Sequence, residues 1–154
     1  MAVSLNAKDF REDGKKFLNG STVKIDALRK AIASDAVRNL VQYTPWDTGR
    51  ARGNWRVNYG GPSLGYDESR RDPTGEQAIA EGLSRVNAKE WRTYTGAFTA
   101  DLFISNNTPY IGSLEDGRPT RGEFQAHNQG LGFMGVRTHI YLQTKYFGGG
   151  GLEF

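Results

Sequence analysis

The chain has 154 residues, 37% of them hydrophobic and 20 of them glycine, which fits one domain with a modest core and long loops. It has no cysteine, which excludes disulfides and thiolate metal sites. The net charge of +3 does not demand a nucleic-acid partner, and no apolar run approaches the ~20 residues of a membrane span. Because a signal-peptide pattern is also missing, we expect one soluble domain over residues 1–154, assembled in the cytoplasm without a membrane partner.

Two helices are predicted in the first 43 residues. A weak one over residues 6–18 contains Gly14, and the run Asn19–Thr22 breaks the pattern. Ser21 or Thr22 can then cap a long helix. Its apolar residues recur at helical spacing, namely Ile25, Leu28, Ile32, Ala36 and Leu40. We expect this stripe to pack the long helix against a sheet.

A tight corner is predicted after the long helix, at residues 44–49. Pro45 disfavours helical geometry at Thr44, Asp47 can accept hydrogen bonds from the backbone, and Gly49 tolerates positive φ. Apolar and polar residues then alternate, with one face formed by Trp55, Val57 and Tyr59. The pattern predicts that the corner leads directly into a strand over residues 55–59.

A long loop over residues 60–75, carrying Arg70 and Arg71, is either a solvated flap or a functional segment. Thr74 can cap a second amphipathic helix that runs to about Lys89. The apolar face of this helix consists of Ala78, Ile79, Leu83 and Val86. Gly82 on the same face predicts close packing.

The second strand is predicted over residues 98–105, paired with residues 55–59 and burying Phe98, Ala100, Leu102 and Ile104. Pro109 begins a short helix that stops at Gly117, and residues 117–135 are a loop. Helical spacing of apolar residues competes with β-branched and aromatic composition at 136–147, and we assign a strand at residues 140–142. Residues 148–154 form a flexible tail. The fold class is α+β, with a small antiparallel or mixed sheet packed against one long helix and one or two shorter ones.

Catalytic patterns are missing from the sequence. His127 and His139 are the only histidines, and no phosphate-binding loop or nucleophile motif occurs. The adjacent acids Glu115 and Asp116 could in principle bind a divalent ion, but acids near a helix end are more often solvated. We predict that the protein is not an enzyme and needs no cofactor or metal.

Arg50, Arg52 and Arg56 surround Trp55, and this basic and aromatic patch has two interpretations. Such patches bind phosphates and bases, which would make the protein a DNA-binding accessory protein. Arginine also pairs with carboxylates across subunit contacts, so the patch could instead meet Asp47, Glu115 or Asp116 of a neighbouring copy. The second interpretation predicts a head-to-tail ring.

Three segments, in this order, carry a family resemblance. The first is T-P-x-D-T-G-R-x-R-x-x-W at Thr44–Trp55, the second runs from Ile104 to Gly117 with the pattern N-x-x-P-Y-x-x-x-L-E-x-G, and the third is Gly132–Arg137. Each is a weak motif alone, but together they span about two thirds of the chain. In order and spacing they resemble the neck, or tail-completion, proteins of lambdoid-type siphophages.

The resemblance implies a structural virion protein, a homo-oligomeric, six-fold ring in the phage neck that joins the DNA-filled head to the tail. Its implied partners are the head connector, adaptor or stopper proteins and the tail terminator, and DNA would pass through its lumen. The residues that we expect at subunit or partner contacts are Asp47, Arg50, Arg52, Trp55, Arg56, Tyr110, Glu115 and Asp116. We expect Arg70 and Arg71 to face the channel or a neighbour.

Overall fold

A computed structural model describes residues 7–88, 101–116 and 133–148, and all structural statements below concern these residues. They form five helices and two strands, which confirms the α+β class. The helices are α1 (Ala7–Tyr43), α2 (Arg50–Gly53), α3 (Glu76–Ala88), α4 (Ile111–Glu115) and α5 (Met134–Phe147). The strands are β1 (Arg56–Tyr59) and β2 (Leu102–Ser105).

Helix α1 is continuous, so the predicted break at residues 19–22 is wrong. Glycine and asparagine each cost less than about 1 kcal/mol in a helix interior, and such a cost does not end a helix whose adjoining turns continue it. A Cβ at Gly20 would meet no atom within 4 Å, so close packing does not require glycine at this position.

The buried stripe of α1 differs from the predicted one. Ala33, Val37 and Val41 are buried, whereas Leu28 is 46% exposed. Small side chains face inward here because α3 lies close to α1. A Cβ added to Gly82 of α3 would lie only 2.6 Å from Cγ1 of Val37, which confirms the predicted close packing at this glycine.

The two strands form an antiparallel pair, as predicted. Val57 lies opposite Ile104, and Tyr59 lies opposite Leu102. One face of this sheet completes a core cluster of buried residues, to which Leu102 and Ile104 add their partly buried side chains. The buried members are Ala33, Val37, Val57 and Val86. The predicted burial of Phe98 and Ala100 concerns residues outside the described ranges.

Between the corner and β1, one turn of helix, α2, replaces the direct entry into a strand that the sequence predicts. Asn54 ends α2, and β1 begins at Arg56. Trp55 is therefore not part of the strand, and its ring packs against a second core cluster formed by Ala51, Leu114 and Met134. Apolar and polar residues do alternate at 55–59, but the first apolar residue, Trp55, packs against the second core cluster and is not part of the sheet.

Helix α3 is capped mainly by a residue that the sequence analysis did not identify. The Asp72 carboxylate accepts hydrogen bonds from the backbone N–H of Gly75 (3.0 Å) and of Ala78 (2.8 Å). The predicted cap, Thr74, accepts only one longer bond, from the N–H of Glu76 at 3.3 Å. Asp72 is buried whereas Thr74 is exposed, and the charged acceptor serves two of the N–H groups at the start of the helix with the shorter bonds.

We expect Asp72→Ala to lower the free energy of unfolding by roughly 1–2 kcal/mol, the usual cost of losing an N-cap. Thr74→Ala is the matched control and should cost less than about 0.5 kcal/mol, as exposed substitutions do. Urea denaturation of both variants measures the difference. A larger loss in Thr74→Ala would mean that the threonine is the functional cap.

The assignment of a strand at residues 140–142 is wrong, because residues 134–147 form the helix α5. This helix packs along α1, and Lys145 and Tyr146 both donate hydrogen bonds to one oxygen of Asp35, at 2.6 and 2.7 Å. Packing on α1 and this polar contact favour a helix over the β-branched and aromatic composition. The predicted 117–135 loop is also too long at its end, since Met134 and Gly135 belong to α5.

The Asp35 contact makes stability depend on pH. Burial acts to raise the pKa of Asp35, but hydrogen bonds from Lys145 and Tyr146 and the charges of Lys145 and Arg38 outweigh it and lower the pKa below its ordinary value of 3.8. The unfolded chain therefore binds this proton at a higher pH than the folded chain does. The stabilisation is present above the ordinary pKa and is lost as the pH falls through the folded value.

We expect Asp35→Asn to lower the melting temperature near neutral pH, and the gap from the unsubstituted protein to narrow as the pH falls to about 3, below the ordinary pKa of the carboxyl group. Melting curves of both proteins across that range measure the gap. A gap that stays constant with pH would show that the ionised carboxylate is not what Lys145 and Tyr146 stabilise.

Candidate interaction surfaces

The motif segment, Thr44–Trp55, folds around Gly49. Gly49 has φ of +77°, which confirms the positive φ predicted for the corner. Its carbonyl accepts hydrogen bonds from the N–H of Gly53 (2.9 Å) and of Asp72 (3.2 Å). A Cβ at this position would lie 2.3 Å from the nitrogen of Pro73. The corner and the end of the 60–75 loop are thus in direct backbone contact, which only glycine permits.

The structure places Arg52 inside the fold, with 8% of its surface exposed. Its guanidinium donates to the carbonyls of Thr44 (2.8 and 3.1 Å), Pro73 (2.6 Å) and Gln42 (3.3 Å). Burial lowers the pKa of Arg52, and the nearby Asp72 opposes that effect. The guanidinium is protonated under all ordinary conditions, so Arg52 is a buried cation. Its hydrogen bonds link the end of α1 to the 60–75 loop. Arg52 is not available for the subunit contact predicted from the sequence.

Trp55 and Asn54 complete this internal network. The indole N–H of Trp55 donates to Oγ1 of Thr44 at 2.7 Å, and that hydroxyl donates to the carbonyl of Leu40 at 2.6 Å. Asn54 is fully buried, and its amide bonds both the N–H (2.7 Å) and the carbonyl (2.9 Å) of Asp67. The motif therefore has a structural role, because its polar side chains hold the 60–75 loop against α1.

Two arginines of the predicted patch, Arg50 and Arg56, and the loop arginines Arg70 and Arg71 lie close to acidic residues. Arg56 and Arg70 both approach one oxygen of Glu81, at 3.4 and 2.8 Å. Arg50 lies 3.9 Å from the carboxylate of Glu68. Arg71 donates to the carbonyls of Glu68 and Arg70 and does not extend from the loop as an isolated cation. The basic patch is therefore balanced by carboxylates of the same chain.

Glu115 and Tyr110, two further predicted contact residues, also serve the fold. The Glu115 carboxylate accepts hydrogen bonds from the N–H of Gly135 at 3.0 and 3.1 Å, and so caps the start of α5. Tyr110 packs against the second core cluster, and burial raises the pKa of its hydroxyl against the opposing charges of Arg50 and Arg71. Asp47 and Asp116 are the predicted acids whose side chains lie exposed.

The 60–75 loop presents an exposed tip on a fixed base. Ser63 donates its N–H to Oγ of Ser105 at 3.1 Å, the Asn107 amide donates to the carbonyl of Ser63, and Asp67 is held by Asn54. Between these anchors Leu64 is 91% exposed and Tyr66 is 38% exposed. We call residues 64–68, which end with Asp67 and Glu68, the loop tip. A solvated flap would not be anchored on both sides of an exposed leucine.

A second exposed apolar surface lies on α5, and the assignment of a strand at residues 140–142 did not reveal it. Phe133, Val136, Ile140 and Phe147 are 50%, 51%, 55% and 62% exposed. Their spacing puts them on one side of the helix, opposite Met134 and Thr138, which are buried. We call these four residues the α5 outer face. The helical spacing of Val136, Ile140 and Phe147 was the signal in the sequence that could have identified it.

Phe133 also has an unusual backbone. Its φ of +50° lies in the left-handed region, which costs a residue with a side chain roughly 1–2 kcal/mol. Its N–H donates to the carbonyl of Glu115 at 3.1 Å, and its own carbonyl accepts from the N–H of Arg137 at 2.8 Å. These bonds hold Phe133 in its strained conformation, in which half of the residue is exposed to solvent.

Within the described ranges, no group of three or more histidine, cysteine, aspartate or glutamate side chains could hold a metal ion. The helices in the same ranges also include none that is both long and apolar enough to cross a membrane.

Comparison of the chain with protein-family models, with curated proteins and with solved structures gives no significant match. The geometry of the motif segment, the loop tip and the α5 outer face, together with the motif resemblance, is thus the basis for a functional assignment.

Proposed function

We propose that the protein is a structural component of a phage neck, in which copies of the chain form a six-fold ring that joins the DNA-filled head to the tail. The observation that carries this proposal is the anchored loop tip. A buried arginine, a buried asparagine and a glycine contact fix the loop. Arg52 and Gly49 belong to the motif that resembles the neck proteins, and Asn54 lies in the same segment at a position that the motif leaves open. A rigid apolar projection of this kind suits binding to another rigid surface.

The proposed ring would sit between the head connector, adaptor or stopper proteins on one side and the tail terminator on the other. Such contacts need no turnover and no cofactor, only surfaces that bury apolar area against fixed partners. The loop tip and the α5 outer face supply two such surfaces on one subunit. Because several copies must meet to form a ring, assembly would depend steeply on protein concentration.

The original assignment of contact residues needs revision under this proposal. Arg52, Trp55 and Glu115 stabilise the subunit itself through the bonds described above. Asp47, Arg50, Arg56 and Asp116 remain at the surface and stay candidates for contacts with a neighbour.

The rival function, a DNA-binding accessory protein, has less support. Trp55 is partly buried against the second core cluster, which leaves less of its ring free to stack on a base, and Arg52 cannot reach a phosphate from its buried position. Arg50, Arg56 and Arg70 lie beside Glu68 and Glu81, which weakens the attraction of this surface for phosphates.

Two measurements on the purified protein separate these functions. Negative-stain images of the protein mixed with isolated heads or isolated tails should show added ring-shaped density at an end of one of them. A shift assay with duplex DNA should show no retention at physiological salt. Retention that weakens steeply with added salt, with heads and tails left bare, would favour the DNA-binding function instead.

A further inference from the structure

We propose that the loop tip inserts the side chain of Leu64 into an apolar pocket on a neighbouring protein of the neck, and that Asn107 is the positioning residue for this contact. The inference rests on the proposed neck function and names the contact through which each subunit of the ring would hold that neighbour. Two features of the loop carry it, namely the exposure of Leu64 and the hydrogen bonds on either side of that residue.

Leu64 is exposed to an unusual degree. It exposes 91% of its surface, whereas the four residues of the α5 outer face expose 50–62%. A single exposed leucine is ordinary on a protein surface and by itself indicates no function. Leu64 differs from such a residue because side chains from a distant part of the sequence hold the backbone around it.

The backbone on both sides of Leu64 is bonded to residues at and just after the end of β2. The N–H of Ser63 donates to Oγ of Ser105 at 3.1 Å. The Asn107 amide donates to the carbonyl of Ser63 and, at 3.5 Å, to the carbonyl of Gly65. An amide group has two N–H donors, so one side chain can serve both carbonyls. Asn107 thus fixes the residues directly before and after Leu64, while the leucine itself stays in solvent.

This arrangement favours binding through the tip. A loop that is already ordered loses less conformational entropy when a partner covers it. Asn107 is itself exposed, so the fold tolerates the loss of its amide better than the loss of a buried group. We therefore expect Asn107 to affect the order of the loop and, through Leu64, the affinity for the partner.

The size of the tip indicates the kind of partner that it fits. Leu64 and the partly exposed Tyr66 can bury far less than the ~1,200 Å² of total surface found in stable protein pairs. The tip is therefore too small to hold two copies of the chain together. In a ring, every subunit presents the same tip, and a symmetric neighbour with one apolar pocket per subunit binds all of them at once. Repetition makes a weak contact strong, so the tip suits a neighbour of the ring better than the contact between its subunits.

The test measures the protein concentration that gives half-maximal head-to-tail joining in a phage lysate that lacks this protein. Leu64→Ala should raise this concentration at least about tenfold, because each subunit loses the burial of most of an apolar side chain. Leu28→Ala on α1 is the matched control, since Leu28 is also an exposed leucine, and it should have no effect. Melting temperatures equal to that of the unsubstituted protein confirm that the variants are folded.

Asn107→Ala should raise the same concentration about two- to tenfold, because the loop must then be ordered on binding. Asn87→Ala is the matched control, since the exposed Asn87 amide also donates to a backbone carbonyl, that of Leu83 in α3, at 2.9 Å. A variant with both Leu64→Ala and Asn107→Ala separates positioning from a general structural role. If Asn107 acts through Leu64, this double variant should need no more protein than Leu64→Ala alone. A general structural role would add the two effects.

Sedimentation velocity tests the choice of partner, and Leu64→Ala should associate with itself as the unsubstituted protein does. Lost self-association in this variant would overturn the proposal, because the tip would then bind another copy. Normal joining with Leu64→Ala would reject the contact, and additive effects in the double variant would reject the role of Asn107; both results leave the neck function standing. An unsubstituted protein that restores no joining would reject the neck function and this inference with it.

Discussion

Replacing Gly49 with alanine is expected to lower the free energy of unfolding by roughly 2–5 kcal/mol, because left-handed backbone strain and overpacking act together. The strain follows from φ of +77°, which an L side chain rarely adopts. The overpacking follows from the 2.3 Å between the added Cβ and the nitrogen of Pro73, a backbone atom that cannot swing aside. Urea denaturation at fixed temperature measures the loss.

Gly60→Ala is the matched control for this prediction. Gly60 has φ of +76°, almost the same as Gly49, but nothing lies within 4 Å of its added Cβ. Its substitution should therefore cost only the strain, about 1–2 kcal/mol. Equal losses in the two variants would mean that the close contact between the corner and Pro73 contributes nothing.

Arg52→Ala is expected to destabilise the monomer by roughly 3–5 kcal/mol, the range for breaking a buried, charge-assisted hydrogen-bond network. The substitution leaves the carbonyls of Thr44, Pro73 and Gln42 without the donor that now serves all three. Arg52→Lys should recover only a small part of the loss, because one ammonium cannot reproduce the planar fork of the guanidinium.

Arg56→Ala is the control for charge alone. Arg56 is partly exposed and lies 3.4 Å from Glu81, so its loss should cost no more than about 1 kcal/mol. Denaturation of the three variants measures these differences. An Arg52→Ala protein that melts normally but fails to assemble would contradict the internal role and restore Arg52 to the subunit contact.

The sequence predicted best where local chemistry decides the structure. Positive φ at Gly49, close packing at Gly82 and the pairing of the two predicted strands were all confirmed, the pairing over residues 56–59 and 102–105 of the predicted 55–59 and 98–105. In each case a steric requirement or a period of two is visible within a few residues.

Long-range contacts explain the failures. The helix at residues 134–147 depends on packing against α1 and on the contact of Asp35 with Lys145 and Tyr146, residues more than a hundred positions away. Nothing near these residues in sequence reveals that partner, so the β-branched and aromatic composition misled the prediction. The cap of α3 was misassigned for a related reason, because Asp72 lies outside the usual N-cap spacing.

The internal bonds of several predicted site residues could not be foreseen, because exposure cannot be read from residue type. Arginine and tryptophan are enriched in protein–protein interfaces, and a glutamate can pair with an arginine across such a contact. In the folded chain Arg52, Trp55 and Glu115 bond to backbone or hydroxyl groups within the subunit. The exposed surfaces come from Leu64 and Ile140, whose apolar character alone predicts burial.

Electron microscopy of a phage lysate that lacks this protein tests the proposed neck function most directly. If the protein joins head to tail, DNA-filled heads and full-length tails should both be abundant and rarely joined. Added purified protein should restore joined virions without a cofactor, with a steep dependence on its concentration. Abundant joined virions in the untreated lysate, or a lysate without heads, would contradict the proposed role of this chain as the joint between head and tail.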